Sequence, residues 1–516
     1  VIKLSDLKCD ILSGFSVFLL ALPLCLGISM ASNFPVLAGV LTAIVGGLIS
    51  TFFGSSRLTI KGPAAGLIVI ALSAVTELGA GDLSVGYKKA LAVGVVAACI
   101  QIIIALSKSA IISELMPPSV IHGMLAAIGV IIVAKQSHSL MGVKPHAAEP
   151  LHLLLEIPNS LINANPLIFA IGIVALLITV FWPKLKNLSF IPASIMVLSV
   201  TIPLSFLLKI SSAQSYELFG NTYLLNSDYL IHFPSHIFNA ITFPDFSTVF
   251  SPLSIKFILM FAIVGSIESL LTVCAVDAID PEKHKSDLNK DLLATGVGNL
   301  VCSFIGGLPM ISEIVRSKAN IDYGAKSKFS NFFHGLFLLI AILALPGIIQ
   351  LIPLSALAAL LIFTGIRLAS PKEFVHVYKI GLDQFIIFVS VFIITLAEDL
   401  LLGVAFGIIL KIVLHLFRGV PIKEFFRSDL VIQTKPNNQI QIDVNGSLVF
   451  CNFLTLKKTI LHYLDTGKQV IISFKNTHFV DHMILDKLNQ IDCTIIDLES
   501  MKSGSKHPLS SRRKII

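Results

Sequence analysis

The chain has 516 residues, 55% of them hydrophobic and 13% charged, with a mean hydropathy of +0.87 and a formal net charge of +7. Soluble proteins carry about 25% charged residues, so this composition argues against a soluble globular protein and for a chain embedded in lipid. The positive excess fits loops at a membrane surface rather than a nucleic-acid interface, since no basic stripe interleaves with aromatics, and the seven cysteines, lacking a C-x-x-C pair, suggest neither a disulfide framework nor a metal cluster.

In chain order, a short polar leader from Val1 to Cys9 precedes predicted spans at Asp10–Met30 and Pro35–Phe53. Both are near the roughly 20 residues that a helix needs to cross a bilayer. The apolar run from Ile11 is too long for a cleaved signal peptide. After the polar link Gly54-Ser55-Ser56-Arg57 comes a segment of another kind, Gly62–Leu78, which opens on Gly62-Pro63-Ala64-Ala65-Gly66-Leu67. Spans follow at Tyr87–Leu106, within Ala110–Ala134, and at Pro166–Trp182 and Leu188–Leu208, with a polar, histidine-bearing stretch from Lys135 to Asn165. A second polar stretch, Lys209 to Ser251, separates the halves. Spans are then predicted at Pro252–Ala278 and Asp291–Gly306, before a second interrupted segment, Leu308–Asn320, entered through Gly307-Leu308-Pro309-Met310-Ile311-Ser312. The remaining spans are Phe329–Leu351, Pro353–Leu368, Asp383–Ala397 and Glu398–Phe417. Both interrupted segments are expected to continue as hydrophobic helices too short for a full crossing.

This makes about fourteen segments, read as two sets of seven whose third member is interrupted. With the N-terminus inside, cytoplasmic loops hold Arg57, Lys108, Lys184, Lys186, Lys283 to Lys290, Lys326, Lys328, Arg367, Lys372, Lys379, Arg418 and Lys423, and outside loops hold fewer basic residues. The positive-inside rule then places both termini in the cytoplasm. The expected fold is an all-α polytopic membrane domain over residues 1–420, with inverted repeats at about 10–208 and 252–417. After Phe417 the texture changes. Val431-Ile432-Gln433, Ile440 to Val444, Ser447 to Phe450, Val470 to Phe474 and Cys493–Leu498 read as strands, and Phe453–Leu464 and Met483–Ile491 as helices. A small cytosolic α/β domain is expected over 421–501, then a basic, Ser-rich tail over 502–516 that is solvated or touches anionic lipid headgroups.

A helix that begins inside the membrane points unpaired N–H groups, and the positive end of its dipole, at whatever lies there. Two such ends facing each other suit an anion. Pro63 and Pro309 cannot donate a backbone hydrogen bond and suit a first helical turn. The candidate ligands are Pro63, Ala64, Ala65 and Gly66 on one side, and Met310, Ile311 and Ser312 on the other, with the Ser312 hydroxyl. The plain structural reading is a kink with close helix packing, but two segments in corresponding positions favour a binding site. Glu268 lies inside the span Pro252–Ala278, where an ionisable group costs a few kcal/mol and marks function. A neutral acid there would carry a proton, and an ionised one would hold Na+ with Ser266, Ser269 or Thr272. Glu313 and Arg316 set the local charge. Three apart on a helix they can pair, or Glu313 is itself a proton-coupling group. Lys61 either draws anions inward or, the favoured reading, snorkels to the cytoplasmic interface. His138, His146, His152, His232 and His236 are expected at the surface of outside loops. There is no nucleophile elbow and no H-E-x-x-H, so neither enzyme activity nor a cofactor is expected beyond co-transported Na+ or H+.

An ordered set of motifs resembles the SulP (sulfate permease) family of anion transporters with a C-terminal STAS domain. It comprises Asp10-x-x-x-Gly14 with Ala21-Leu22-Pro23, the link Gly54 to Arg57, Glu268-Ser269-Leu270-Leu271, and Asp287-x-Asn289-x-Asp291-Leu292-x-Ala294-x-Gly296-x-Gly298-Asn299. It closes with Gly306-Gly307-Leu308-Pro309, Arg316-Ser317-x-Ala319-Asn320 and Gly324-Ala325-Lys326. The runs Ala21 to Ile28 and Ser312 to Ser317 resemble a bacterial branch associated with bicarbonate uptake. The resemblance implies a core domain moving against a gate domain, a homodimer, an anion site between the third and tenth segments, and cation or proton coupling at the Glu268 position. It also implies a bacterial inner-membrane protein, in contact with lipid and a soluble partner such as a carbonic anhydrase. Where the family often has Asp-Ser or Asp-Thr in its STAS domain, this chain has Asp481-His482, which favours docking over a phospho-switch. The expected function is secondary active transport of bicarbonate or sulfate, coupled to Na+ or H+ or by exchange. The alternatives are a passive anion channel, against which Glu268 speaks, and a nucleobase–cation symporter, against which the C-terminal domain and Arg316-Ser317 speak.

Overall fold

In lipid a backbone has no water to satisfy it, so long apolar runs must close their own hydrogen bonds as helices. The first half contains α1 (Leu4–Ala31), α2 (Ala38–Leu48), α3 (Ser50–Phe53), the short strand β1 (Lys61–Pro63), α4 (Ile68–Gly79), α5 (Leu83–Leu106), α6 (Pro118–Leu140), α7 (Pro150–Ile162), α8 (Pro166–Phe181) and α9 (Ala193–Leu207). A hairpin of β2 (Gln214–Leu218) and β3 (Asn221–Leu225) follows. The second half has α10 (Pro252–Ile279), α11 (Leu288–Ile305), β4 (Met310–Ser312), α12 (Ile314–Asp322), α13 (Phe329–Ala344), α14 (Pro346–Ile349), α15 (Leu354–Leu368), α16 (Pro371–Ile380), α17 (Leu382–Ala397) and α18 (Leu400–Phe417). The chain ends with α19 (Ile422–Phe426), β5 (Asp429–Lys435), β6 (Gln439–Leu448), α20 (Phe453–Asp465), β7 (Gln469–Ser473), β8 (Thr477–Val480), α21 (His482–Leu488) and β9 (Thr494–Ile496). This computed structural model describes residues 4–110, 116–147, 149–185, 191–218, 220–232, 241–398, 400–436, 438–488, 491 and 493–496. The predicted basic tail and the end of the last predicted strand lie outside them.

Among the described residues, 7 helices are long and apolar enough to cross a membrane, and 5 shorter apolar helices accompany them. The chain is an integral membrane protein. Several expectations change. The membrane-embedded part is not purely helical, because β1 and β4 pair inside it. The second interrupted segment is not hydrophobic: the 9-residue α12 carries Arg316, Lys318, Asn320 and Asp322. Neither α11, with Lys290, Asp291 and Asn299, nor α12 is among the apolar helices. Pro346 ends the run predicted to reach Leu351, and the polar stretch from Lys135 holds the end of α6 and the amphipathic α7. His138 is accordingly buried rather than on a surface loop, 2.7 Å from Ser160 Oγ and 3.0 Å from the Leu153 carbonyl.

The chain divides into two compact units, Val1–Ala110 with Ile128–Ala369, and Ile111–Ala127 with Ser370–Ile516. In the first, α1 packs on α13, α2 on α13 and β1, and α5 on α4, α10 and α11. In the second, α17 packs on α18, and the C-terminal sheet has β6 at its centre. β6 pairs antiparallel with β5 and parallel with β7 and β8, and β7 pairs parallel with β9. Alternating Ile440, Ile442 and Val444 enter a core with Phe453, Ile472 and Phe474. The strand β8 was not anticipated from sequence. Asp481, at the start of α21, meets Lys411 of α18 at 2.8 Å and His415 at 3.4 Å, all buried. Burial alone would raise the Asp481 carboxyl, but Lys411 and then His415 outweigh it and hold it well below the usual carboxylate range.

Candidate functional site

The two Gly/Pro stretches meet. β1 pairs antiparallel with β4, aligning Lys61 with Ser312, Gly62 with Ile311 and Pro63 with Met310. Proline withholds an N–H and pushes the residue before it into extended backbone, so each run leaves the helical pattern where Pro63 and Pro309 stand. The helices start only at Ile68 and Ile314. Ala64, Ala65 and Gly66 therefore form the turn between strand and helix, not a first helical turn.

One side of this strand pair is saturated. Lys61 Nζ is 2.7 Å from Asp291 Oδ2 and donates to Ser312 Oγ at 2.9 Å and Thr295 Oγ1 at 3.1 Å. Ser269 Oγ accepts from the Ser312 N–H at 3.1 Å and lies 3.1 Å from Thr295 Oγ1. Asn299 accepts from the Met310 N–H at 2.6 Å and donates to the Met310 carbonyl at 3.1 Å. Asn331 accepts from the Lys61 N–H at 3.1 Å. The Glu313 N–H bonds the Ile60 carbonyl at 2.8 Å, and antiparallel alternation then makes Gly62 and Ile311 the next hydrogen-bonded pair.

Three expectations are corrected here. Lys61 does not snorkel, because it is 2% exposed and its charge is neutralised by Asp291. The Met310, Ile311 and Ser312 N–H groups are already committed, and Met310 and Ser312 are wholly buried, so these residues build the site's wall. Ser269 belongs to this network and Ser266 Oγ bonds the Ala262 carbonyl at 2.5 Å, so neither sits with Glu268 as an oxygen donor. The reason is rotational: at 3.6 residues per turn, only Thr272 shares the helix face of Glu268.

The other side is not saturated. Ala65, Pro309 and Glu313 are half-buried, while Pro63, Ala64 and Gly66 are buried. Glu268 lies against Gly66 so closely that a Cβ there would overlap its carboxylate. Arg316 lies against Gly62 in the same way. At both glycines the missing Cβ leaves room for the end of a charged side chain. Among the described residues, neither Glu268 oxygen has a hydrogen-bond partner, nor have Arg316 Nε and Nη1. Glu268 and Arg316 are 8% and 1% exposed. Glu313 Oε1 accepts from the Ala65 N–H at 3.3 Å, joining the two stretches. It does not form the expected ion pair with Arg316. Glu313 caps α12 with extended backbone, φ −96° and ψ 115°, so helical i,i+3 spacing does not apply to it. The first N–H groups of α12 have no intrahelical acceptor, and Ile314 and Val315 are 40% and 37% exposed. Glu313, His334 of α13, with both ring nitrogens unpartnered, and Cys25 of α1 lie within electrostatic range of Arg316.

The arrangement offers an anion a guanidinium with two unbonded nitrogens and free helix N–H groups, beside the carboxylate of Glu268, which has no internal donor. Among the described residues no group of His, Cys, Asp and Glu has the geometry to hold a metal ion. Sequence reasoning missed the wall: Asp291, Thr295 and Asn299 stood within a noted motif, yet helical spacing did not reveal that they face a strand pair.

The profile of the Sulfate permease family matches residues 7–391. YvdB of Bacillus subtilis is 24% identical over 489 residues, 93% of this chain and 87% of that protein. The bicarbonate transporter BicA of a Picosynechococcus species is 25% identical over 419 residues, 81% of this chain and 71% of that protein. The transmembrane domain of a cyanobacterial BicA superposes with a TM-score of 0.66 at 23% identity, covering 78% of this chain and 98% of that one. SLC26A9 superposes with a TM-score of 0.69 at 16% identity, covering 96% of this chain and 84% of that one. These structures share the fold, and the profile covers well over half of the sequence: the chain belongs to the sulfate permease family of anion transporters.

Proposed function

We propose that the chain is a secondary active transporter of a small inorganic anion, with bicarbonate the leading substrate and sulfate the second. The observation that carries this reading is the pair of buried ionisable side chains with unbonded polar atoms, Arg316 over Gly62 and Glu268 over Gly66. A buried charge without a partner is costly, and a site that retains one is poised for a ligand of opposite sign. Arg316 and the Ile314 and Val315 N–H groups receive the anion. Half-buried Ala65 stands beside it, and Gly66 leaves room for the Glu268 carboxylate. Glu268, with Thr272 on its helix face, takes up the co-transported H+ or Na+, or the carrier instead exchanges anions. The BicA relatives, named as bicarbonate transporters, support bicarbonate, and YvdB and YbaR, named as sulfate transporters, support sulfate.

In this reading α4 and α12 are the third and tenth of about fourteen segments in a seven-plus-seven inverted repeat, and a core carrying them moves against a gate for alternating access. The C-terminal sheet is a STAS-like domain. Both termini face the cytoplasm of a bacterial inner membrane, and the chain works as a homodimer with a soluble partner such as a carbonic anhydrase docking from the cytosol. Uptake of labelled bicarbonate and sulfate into proteoliposomes, with and without Na+ and a pH gradient, tests it. Concentrative uptake of one anion driven by one gradient is expected. Flux that follows voltage alone would favour a channel, and uracil uptake without anion competition would favour a nucleobase symporter.

A further inference from the structure

The C-terminal sheet ends on one side in a strand that no described residue covers. β5 pairs with β6 along its inner edge, and its residues enter no other backbone pairing among the described residues. Every β5 residue except Leu430 is exposed, Val431 and Ile432 by 43% and 44%. Such an edge presents alternate N–H and C=O groups to any passing strand, and proteins usually blunt it with proline, a bulge or an inward charge. β5, Asp429-Leu430-Val431-Ile432-Gln433-Thr434-Lys435, has no proline or glycine and no register shift against β6. Its charges stand only at its two ends and are opposite.

We propose that β5 is a surface on which two copies of this chain pair, strand against antiparallel strand, about a two-fold axis at Ile432. In that register Asp429 faces Lys435 of the partner subunit, and the reciprocal pair repeats across the axis, as an isologous contact requires. Leu430 faces Thr434 of the partner subunit, and the two Ile432 side chains meet. A parallel arrangement would oppose Asp429 to Asp429 and Lys435 to Lys435, and like charges directly opposite each other are destabilising. The charges therefore select both the direction and the register. Leu430 packs against the core of the sheet, and Ile432 shares its strand face, so pairing continues that core across the axis. One strand pair is small beside the roughly 1,000 Å² of a free-standing interface. Two chains held in one membrane meet at high effective concentration, where a small surface suffices.

The proposal rests on the homodimer reading only in requiring two copies. Within one extended strand Asp429 and Lys435 are about 20 Å apart, so a zero-length carbodiimide crosslink between them joins separate chains. The full chain in membranes, treated with carbodiimide, digested and sequenced by mass spectrometry, is expected to give a covalent dimer with an Asp429–Lys435 isopeptide that Asp429→Asn abolishes. Asp429→Lys is expected to lower the dimer fraction by light scattering in detergent, and Asp429→Lys with Lys435→Asp to restore it. A dimer crosslinked only elsewhere, or a double swap that does not restore pairing, overturns β5 as the surface and leaves the homodimer standing. A chain that is monomeric in the membrane overturns both.

Discussion

The two sides of the β1–β4 strand pair treat buried charge in opposite ways. On one, Lys61 is matched by Asp291 and by two hydroxyls, and no charge is left over. On the other, Glu268 of α10 and Arg316 of α12 are buried as well and lack a hydrogen-bond partner on both Glu268 oxygens and on Arg316 Nε and Nη1. Breaking a buried pair costs about 3–5 kcal/mol, so the first side holds the two stretches together. The second side leaves polar atoms unmet, and in the proposed function they meet the transported ions. The C-terminal unit matches charge as the first side does, with Lys411 and His415 around Asp481, although Lys411 Nζ, both His415 ring nitrogens and Asp481 Oδ2 make no hydrogen bond there.

Substitutions on the two sides should separate stability from transport. The largest effect is expected from Asp291→Asn, which strands the Lys61 charge: a loss of about 3–5 kcal/mol, read as a large drop in Tm in detergent. The double variant Lys61→Met, Asp291→Leu should recover most of it. Arg316→Gln should leave Tm unchanged or raised, because an unpartnered charge is removed, while apparent anion affinity falls about ten- to a hundredfold, as for a lost hydrogen bond to a charged group. An equal fall in Tm would place Arg316 with the structural side. Ser312→Ala should cost about 1 kcal/mol of stability and leave apparent affinity unchanged, and a change in anion KM would return Ser312 to the ligands. Ser266→Ala, whose hydroxyl serves its own helix, should change cation dependence least of all.

The positions of the two Gly/Pro stretches were legible because proline and glycine interrupt an apolar period, and most of the C-terminal strands because Ile440, Ile442 and Val444 alternate. That the stretches pair as strands was not: three residues each are too short for a period of two to show. Nor was the partner of Lys61, which is 230 positions away in the chain. Glu268 stood out as a charge in an apolar run, but its neighbours Ser266 and Ser269 were grouped with it by proximity in sequence, where helical rotation separates them. Glu313 and Arg316 were paired by helical spacing, although the capping residue is extended. β8 escaped because Thr477–Val480 is short and begins just after Lys475 and Asn476, so it shows little alternation.

The most direct measurement is gradient-driven accumulation of labelled anion in proteoliposomes carrying Glu268→Gln, beside its Tm and its anion binding. The amide keeps the shape of the carboxyl against Gly66 and removes the group that takes up a proton or cation. Accumulation should be abolished, with Tm kept or raised and binding still measurable. Normal accumulation in that variant would contradict the assignment of the unpartnered side to coupled transport.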